Sequence, residues 1–415
     1  MTSRQNLKKT LNHESPDKIV VDFGATSVTG IHVLIVEKLR NHFGLEKVPV
    51  KVIEPYQMLG EIEQDLLDAM GVDVIGIAPP ANMLGHAQQN WKPFRTFWGQ
   101  EVLVPGQFNT SFDESGNLMA YPQGDTSVPP SARMVKNGFF FDALERQQPI
   151  SDDNLNPEDN LEEFSLFTQD DILYWEKAAI TAAETTKGIV ANFGGTAIGD
   201  IALVPAIGMK KTKGIRAVAE WYMSILMRPD YLHTVFDIQT DIAIENLQTA
   251  WQTIGKNIDV VFICGTDFGT QNSSFCGLET FHEMYAPYYK KMNNWIHENT
   301  TWKTFKHSCG AIEPFIESFI DCGFDILNPL QINAKGMDTT LLKQKYGDKI
   351  VFWGGGVDTQ KILPFASPDQ VKEHVKKQCG ILSENGGFVF NTVHNIQANV
   401  PLENVLAMLK AIQSC

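Results

Sequence analysis

The sequence predicts a distorted (β/α)8 barrel, and three observations carry that expectation. Apolar runs of strand length alternate with longer segments of helical period along most of the chain. Seven strands are clear (VDVIGI, GIVANF, DVVFICG, KTFKHS, FDILNP, KIVFWG and GFVFNT), and KIVVDF is a candidate eighth. Helices between strands imply right-handed crossovers and a parallel sheet. A doubly wound open sheet is the alternative, and in both architectures ligands bind at the carboxyl ends of the strands.

In chain order, LKKTLNHE is a short helical pattern, and KIVVDFG is a buried strand closed by Gly24. GIHVLIVEKLRNHFG spaces its apolar residues as a helix does. EIEQDLLDAM reads as a helix ended near Gly71, and VDVIGI as a strand stopped by Pro79 and Pro80. The rhythm breaks over about residues 79–163, where short strands surround turn signals and SDDNLNPEDNLEE is acidic and loop-like, an insertion over one face of a single 415-residue domain. Alternation resumes with the helix DDILYWEKAAITAAETT, the strand GIVANFGG and two helical patterns from Ile215 to Ile254, split by Arg228 and Pro229. After the strand IDVVFICGTDFG comes a helix from Glu279 to Asn299, then TWKTFKHSCG as a strand. Short helix and strand units complete the chain: AIEPFIESFIDCG, FDILNPL, TTLLKQKYG, KIVFWGGG, SPDQVKEHVKKQCGILSENG, GFVFNTVHN and LENVLAMLKAIQ.

Composition narrows the function. With 43% hydrophobic and 20% charged residues the chain is an ordinary globular protein, and its net charge of -15 without a basic stripe argues against nucleic acid. The polar start MTSRQNLKKTLNHESPDK lacks the apolar core of a secretory signal, and no stretch approaches the roughly 20 apolar residues that span a bilayer, so a cytoplasmic location is expected. The six cysteines do not form the dense framework of a small secreted domain and are expected as reduced thiols.

Chemistry is sought at the strand ends. His307 and Cys309 end KTFKHSCG, and residues two apart on an extended strand point to one side, so both can reach one ion. Imidazole and thiolate are preferred zinc ligands, although a buried thiol beside a hydrogen-bonded histidine would leave the same tripeptide. His394 follows the last strand and would join them at a barrel mouth, as ligand, acid/base or hydrogen bonder. Asp267, in CGTDFGTQ, and Asp73, in GVDVIG, are the candidate carboxylates. Gly354, Gly355 and Gly356 after VFW suggest an anion cradle or, since no nucleotide-loop spacing occurs there, a tight turn allowing close approach of a bulky ligand.

Together these segments resemble the uroporphyrinogen decarboxylase superfamily, most strongly from about Ile258 onward: GTDFGTQ, YAPYYKK, HSCG, WGGGVDTQKILPFASPDQV and FNTVHNIQANVPLENV occur in the expected order. The resemblance implies a distorted (β/α)8 barrel with a deep cleft and one of two chemistries. The decarboxylases carry an Arg-rich segment of the type R-Q-A-G-R to hold porphyrinogen carboxylates. Here that region reads VVDFGATSVTGIH, and the chain has seven arginines, none after Arg228. Asp73 and His394 fall where that pattern has its Asp and its G-H-G histidine, the latter here V-H-N.

The corrinoid-dependent methyltransferases instead have a zinc site of the form His-x-Cys followed by a distant Cys. His307 and Cys309 match the first two ligands, and His394 stands where the third is expected. This branch implies zinc, a small methyl donor or acceptor, and a cobalamin carried by a separate corrinoid-binding protein. On that resemblance His307 and Cys309 hold zinc, His394 is third ligand or acid/base, and Asp267 and Asp73 orient substrate or a ligand histidine. A cofactor-free decarboxylase and a non-catalytic barrel that binds a tetrapyrrole or metal are the rivals.

Overall fold

Eight short parallel strands occupy the centre of the computed structural model, which describes residues 1–161 and 164–415. They are β1 (Val20–Val21), β2 (Val74–Ile77), β3 (Gly188–Ala191), β4 (Val260–Cys264), β5 (Lys303–His307), β6 (Ile326–Asn328), β7 (Val351–Trp353) and β8 (Phe388–Phe390). The sheet runs β1, β8, β7, β6, β5, β4, β3, β2. Its two edges meet at Asp73, whose N–H donates to the Val21 carbonyl (2.8 Å) and whose carboxylate accepts the Val21 N–H (3.1 Å). The barrel is thereby nearly closed, and KIVVDF supplies its first strand.

Burial on both faces explains why the strands read as continuous apolar runs. Inward residues such as Val20, Val74, Val190, Phe262, Phe305 and Trp353 form one buried cluster. Their neighbours Val21, Ile189, Val261, Ile263, Leu327 and Phe352 belong to a second cluster shared with the helices. β4 carries a register shift between Phe262 and Cys264, a bulge of the kind that re-aims the residues following a strand.

The helices follow the predicted positions with one division and one addition, the short helix Ile362–Phe365. α1 (Ser3–Leu11), α2 (Val33–His42) and α3 (Gln64–Met70) precede β2, and α3 ends at Gly71 in the left-handed conformation. α4 (Gln169–Glu184) starts from a capping box between Thr168 and Asp171, and α5 (Val218–Met227) and α6 (Pro229–Ile254) divide at Arg228. The helix expected over Glu279 to Asn299 is two, α7 (Leu278–Met284) and α8 (Ala286–Asn299). Pro287 lies in the first turn of α8, where its missing N–H is tolerated, whereas in mid-helix it would break the ladder. α9 (Ile316–Asp321), α10 (Thr339–Tyr346), α11 (Ile362–Phe365), α12 (Pro368–Leu382) and α13 (Leu402–Ile412) complete the outer layer. No helix among the described residues is long and apolar enough to cross a membrane.

Between β2 and α4 the chain leaves the barrel rhythm. Lys92–Arg95 pairs with Glu101–Val104, and Thr110–Phe112, Leu118–Ala120, Ala132–Met134 and Asp142–Ala143 form an antiparallel sheet. Glu162 and Glu163, at the end of the acidic stretch, lie outside the described residues. This segment packs on the loop after β3, where Arg146 donates to the carbonyls of Met209 and Ala206 (2.6 Å each) and Gln123 to that of Gly208 (3.1 Å).

Asp73 does not stand at the barrel mouth, contrary to its reading as a catalytic residue. It precedes β2, at the amino-terminal end of the barrel, where Ser3 Oγ donates to its carboxylate (2.6 Å) and Lys18 Nζ lies 2.8 Å away. Its carboxylate closes the barrel wall, and parallel strands put it at the end opposite the residues that follow β5 and β8.

Candidate metal centre

His307, Cys309 and His394 converge at the carboxyl ends of β5 and β8. One ligand atom from each lies within 4.8 Å of the other two, and the His307 and His394 ring centroids are 5.7 Å apart with planes crossed at 76°. Cys309 Sγ is 3.5 Å from His307 Nε2. Zinc bonds of about 2.3 Å to sulfur and 2.0–2.1 Å to nitrogen at a tetrahedral angle would separate those two atoms by about 3.6 Å, so this pair fits zinc without rearrangement.

Hydrogen bonding prepares His307 for that role. Asn328, at the end of β6, donates its amide to the Trp353 carbonyl (2.7 Å), leaving its oxygen to accept from His307 Nδ1 (2.6 Å). The proton is thereby placed on Nδ1, and the Nε2 lone pair faces Cys309. Burial pulls both imidazoles down to about 4, so they are neutral at physiological pH. Thr392 donates its hydroxyl to the His394 carbonyl and holds that turn in place. Burial and then the nearby Asp267 push the Cys309 thiol well up, and the Lys306 charge only partly offsets them. A divalent ion would supply the remaining positive charge, and the donor set of one thiolate and two neutral imidazoles is zinc-like.

Asp267 joins the site from the loop after β4. Its Oδ1 accepts the Cys309 N–H (2.6 Å) and lies 3.8 Å from His307 Nε2; burial raises its pKa against that hydrogen bond. The two loops touch so closely that Gly310 is required: a Cβ there would come within 2.3 Å of the Gly269 backbone. The glycine of HSCG thus fixes Asp267 against Cys309.

Gly354, Gly355 and Gly356 do not form a ligand cradle. The N–H groups of Gly354 and Gly356 donate to the carbonyls of Val389 (3.0 Å) and Asn391 (2.9 Å), extending the pairing of β7 with β8. Added Cβ atoms would meet the protein itself, Thr392 O at 2.9 Å from Gly354, Leu330 Cβ at 2.8 Å from Gly355 and Phe390 at 2.3 Å from Gly356. The glycines serve close packing of the chain on itself.

Asn328 was not visible as a site residue, although its Asn-Pro step at a strand end was the available signal. If the centre holds zinc, replacing Asn328 with leucine is expected to weaken its binding by roughly 10–100-fold, since the leucine keeps the volume but frees the His307 tautomer. Competition with a chromophoric chelator on the folded variant measures this, and unchanged affinity would mean that another group orients the ring.

No curated protein matches this chain. Among solved structures, a methyltransferase from Methanosarcina mazei superposes with a TM-score of 0.55 at 14% identity, covering 100% of this chain and 99% of that one. The Ignisphaera aggregans GH53 catalytic domain gives 0.33 at 13% identity, covering 94% and 99%, too low a score to bear on the fold. The first likeness, at that identity, shows a shared barrel architecture. The family model for uroporphyrinogen decarboxylase (URO-D) matches residues 155–415, more than half of the chain and every strand from β3 onward. The chain therefore belongs to the uroporphyrinogen decarboxylase family.

Proposed function

We propose that this protein is a zinc-dependent methyltransferase that passes a methyl group between a small substrate and the cobalt of a cobalamin carried by a separate corrinoid protein. The observation that carries the reading is the convergence of His307, Cys309 and His394 at the barrel mouth. The fold shared with a Methanosarcina mazei methyltransferase supports it.

Three protein ligands would leave zinc one open position, where it supplies Lewis acidity that stabilises a substrate thiolate near neutral pH or polarises a methyl ether oxygen. The chain's own residues do the rest. Cys309 contributes the one negative charge among the three donors, and Asn328 keeps the His307 lone pair facing inward. Asp267 fixes the Cys309 backbone, so the thiol's position does not depend on the side chain alone. Trp353 and Phe305 lie buried in the barrel interior among apolar side chains, which limits water below the site. Met223, Leu226 and Met227 on α5, with Phe275 and Leu278 after β4, expose apolar surface suited to a protein partner.

Decarboxylation of a polycarboxylate porphyrinogen is disfavoured by where the arginines are spent. Arg4, Arg40, Arg95 and Arg228 pair with carboxylates of the protein, and Arg146 and Arg216 donate to backbone carbonyls. Few guanidinium groups remain to clamp acidic substrate side chains.

The deciding experiment combines metal analysis with turnover. Protein produced with zinc is expected to carry about one ion per chain. It should demethylate methylcobalamin in the presence of a thiol and form no coproporphyrinogen from uroporphyrinogen. A metal-free preparation with full activity, or efficient porphyrinogen turnover, would overturn the proposal.

A further inference from the structure

A second group of side chains flanks the three metal-ligand candidates. The Tyr222 phenol oxygen, on α5, is shut off from solvent and has no hydrogen-bond partner among the described residues. A buried hydroxyl left unpaired is costly unless a ligand completes it. The Tyr222 ring stacks on Phe275 of the loop after β4, with centroids 5.4 Å apart and planes inclined by 21°.

Acidic groups accompany it. Asp200, in the loop after β3, is buried, accepts the Ala202 N–H (3.0 Å), and lies so near Gly265 that a Cβ there would fall 2.9 Å from its Oδ2. Asp267 follows two residues after Gly265, with its Oδ1 3.8 Å from His307 Nε2. Burial, and then the charges of Asp267, Cys276 and Asp200, push the Tyr222 phenol up.

The neighbouring cation is Lys306, whose charge reaches Asp200, Asp267 and Cys309. Lys306 precedes His307 on β5, so its side chain leaves the strand on the opposite face. Its ammonium donates to the carbonyls of Thr266 (2.6 Å) and His307 (2.7 Å) and lies over the rings of Phe268 and Phe319, at 5.0 and 5.5 Å from their centroids. The wall beside the metal ligands therefore sets two carboxyls against one buried ammonium, with phenol and aromatic faces around them, a balance that favours cations over anions.

We propose that Asp200, Asp267 and Tyr222 determine specificity at this centre, selecting a substrate whose metal-binding heteroatom is tethered to a cationic nitrogen, such as an ammonium-bearing thiol. The assignment rests on the zinc and thiol reading above, and its test separates the two. A cationic head near Asp200 and Asp267 gains Coulomb attraction in a site of low dielectric, while a sulfonate in the same place meets repulsion.

The full chain would be loaded with Co2+ in place of zinc and titrated with three thiols of similar reach, following the thiolate-to-cobalt absorption. The probes are (2-mercaptoethyl)trimethylammonium, whose nitrogen has no lone pair to chelate the metal, neutral 2-mercaptoethanol and anionic 2-mercaptoethanesulfonate. The cationic thiol is expected to bind at least about tenfold more tightly than the neutral one, with the anionic thiol weakest. Asp200→Asn should keep the cobalt spectrum and narrow the cationic-to-anionic ratio by about tenfold. Equal affinities for the three thiols, or an unchanged ratio in Asp200→Asn, would overturn the specificity assignment while leaving the metal reading intact. Failure of the wild-type chain to bind Co2+ or to show a thiolate band with any thiol would overturn both.

Discussion

Cys309→Ala is expected to lose at least about 100-fold in zinc affinity and to abolish methyl transfer, with little change in the thermal unfolding midpoint of the metal-free protein. Apparent zinc-binding free energies of roughly 10–16 kcal/mol in four-ligand sites correspond to about 3–4 kcal/mol per ligand, or a factor of about 10²–10³. The loss should reach that range here because Cys309 is the one anionic donor, both histidines being held neutral by burial. Stability should be spared because the structural contact at this position is its backbone N–H to Asp267, which alanine retains. Zinc content after dialysis against a competing chelator is the measurement. Full retention of zinc by the variant would show that the ion is held elsewhere.

The barrel was legible because its strands are buried on both faces. Each apolar run marks a strand, and the intervening helical period forces the crossover. The closure was not legible: β1 and β2 meet through one backbone hydrogen bond and the Asp73 carboxylate, a contact without pattern in the sequence. Asp73 itself could have been placed, since it opens its strand and thus belongs at the amino-terminal end. Pro287 likewise signals the start of a new helix inside the segment read as one.

The same distinction runs through the site. Residues bound to strand ends, His307, Cys309, Asp267 and His394, inherit their position from the alternation. The three glycines after β7 looked ligand-directed because composition does not say whether an N–H is already used, and here pairing with β8 consumes two of them. Asp200 and Tyr222 lie beyond β3 on a long loop and on a helix at its end, where no periodicity ties a residue to the barrel axis. Their place depends on packing from separate segments, which one-dimensional spacing does not encode.

His394 is where a substitution series has the most to decide, because an imidazole at a barrel mouth can hold a metal or move a proton. Its ring crosses that of His307 and its ligand atom lies within 4.8 Å of those of both partners. Among the described residues no hydrogen bond commits either of its nitrogens. A ligating His394 makes His394→Ala lose zinc together with activity, by a factor of about 100 or more on the per-ligand scale. His394→Cys should then retain the ion, since thiolate is an equally good tetrahedral donor. It would also bring a second negative charge into a space already bordered by Asp267, so its zinc should be held firmly while its Lewis acidity and turnover fall. An acid/base His394 predicts the opposite split: both variants keep zinc, both lose rate, and the pH profile loses the limb belonging to an imidazole. We expect the first pattern, because His307 and Cys309 alone give zinc only two protein donors where catalytic sites use three. Full zinc occupancy in His394→Ala would reject ligation by this residue and make Asp267, 3.8 Å from His307 Nε2, the donor to substitute next.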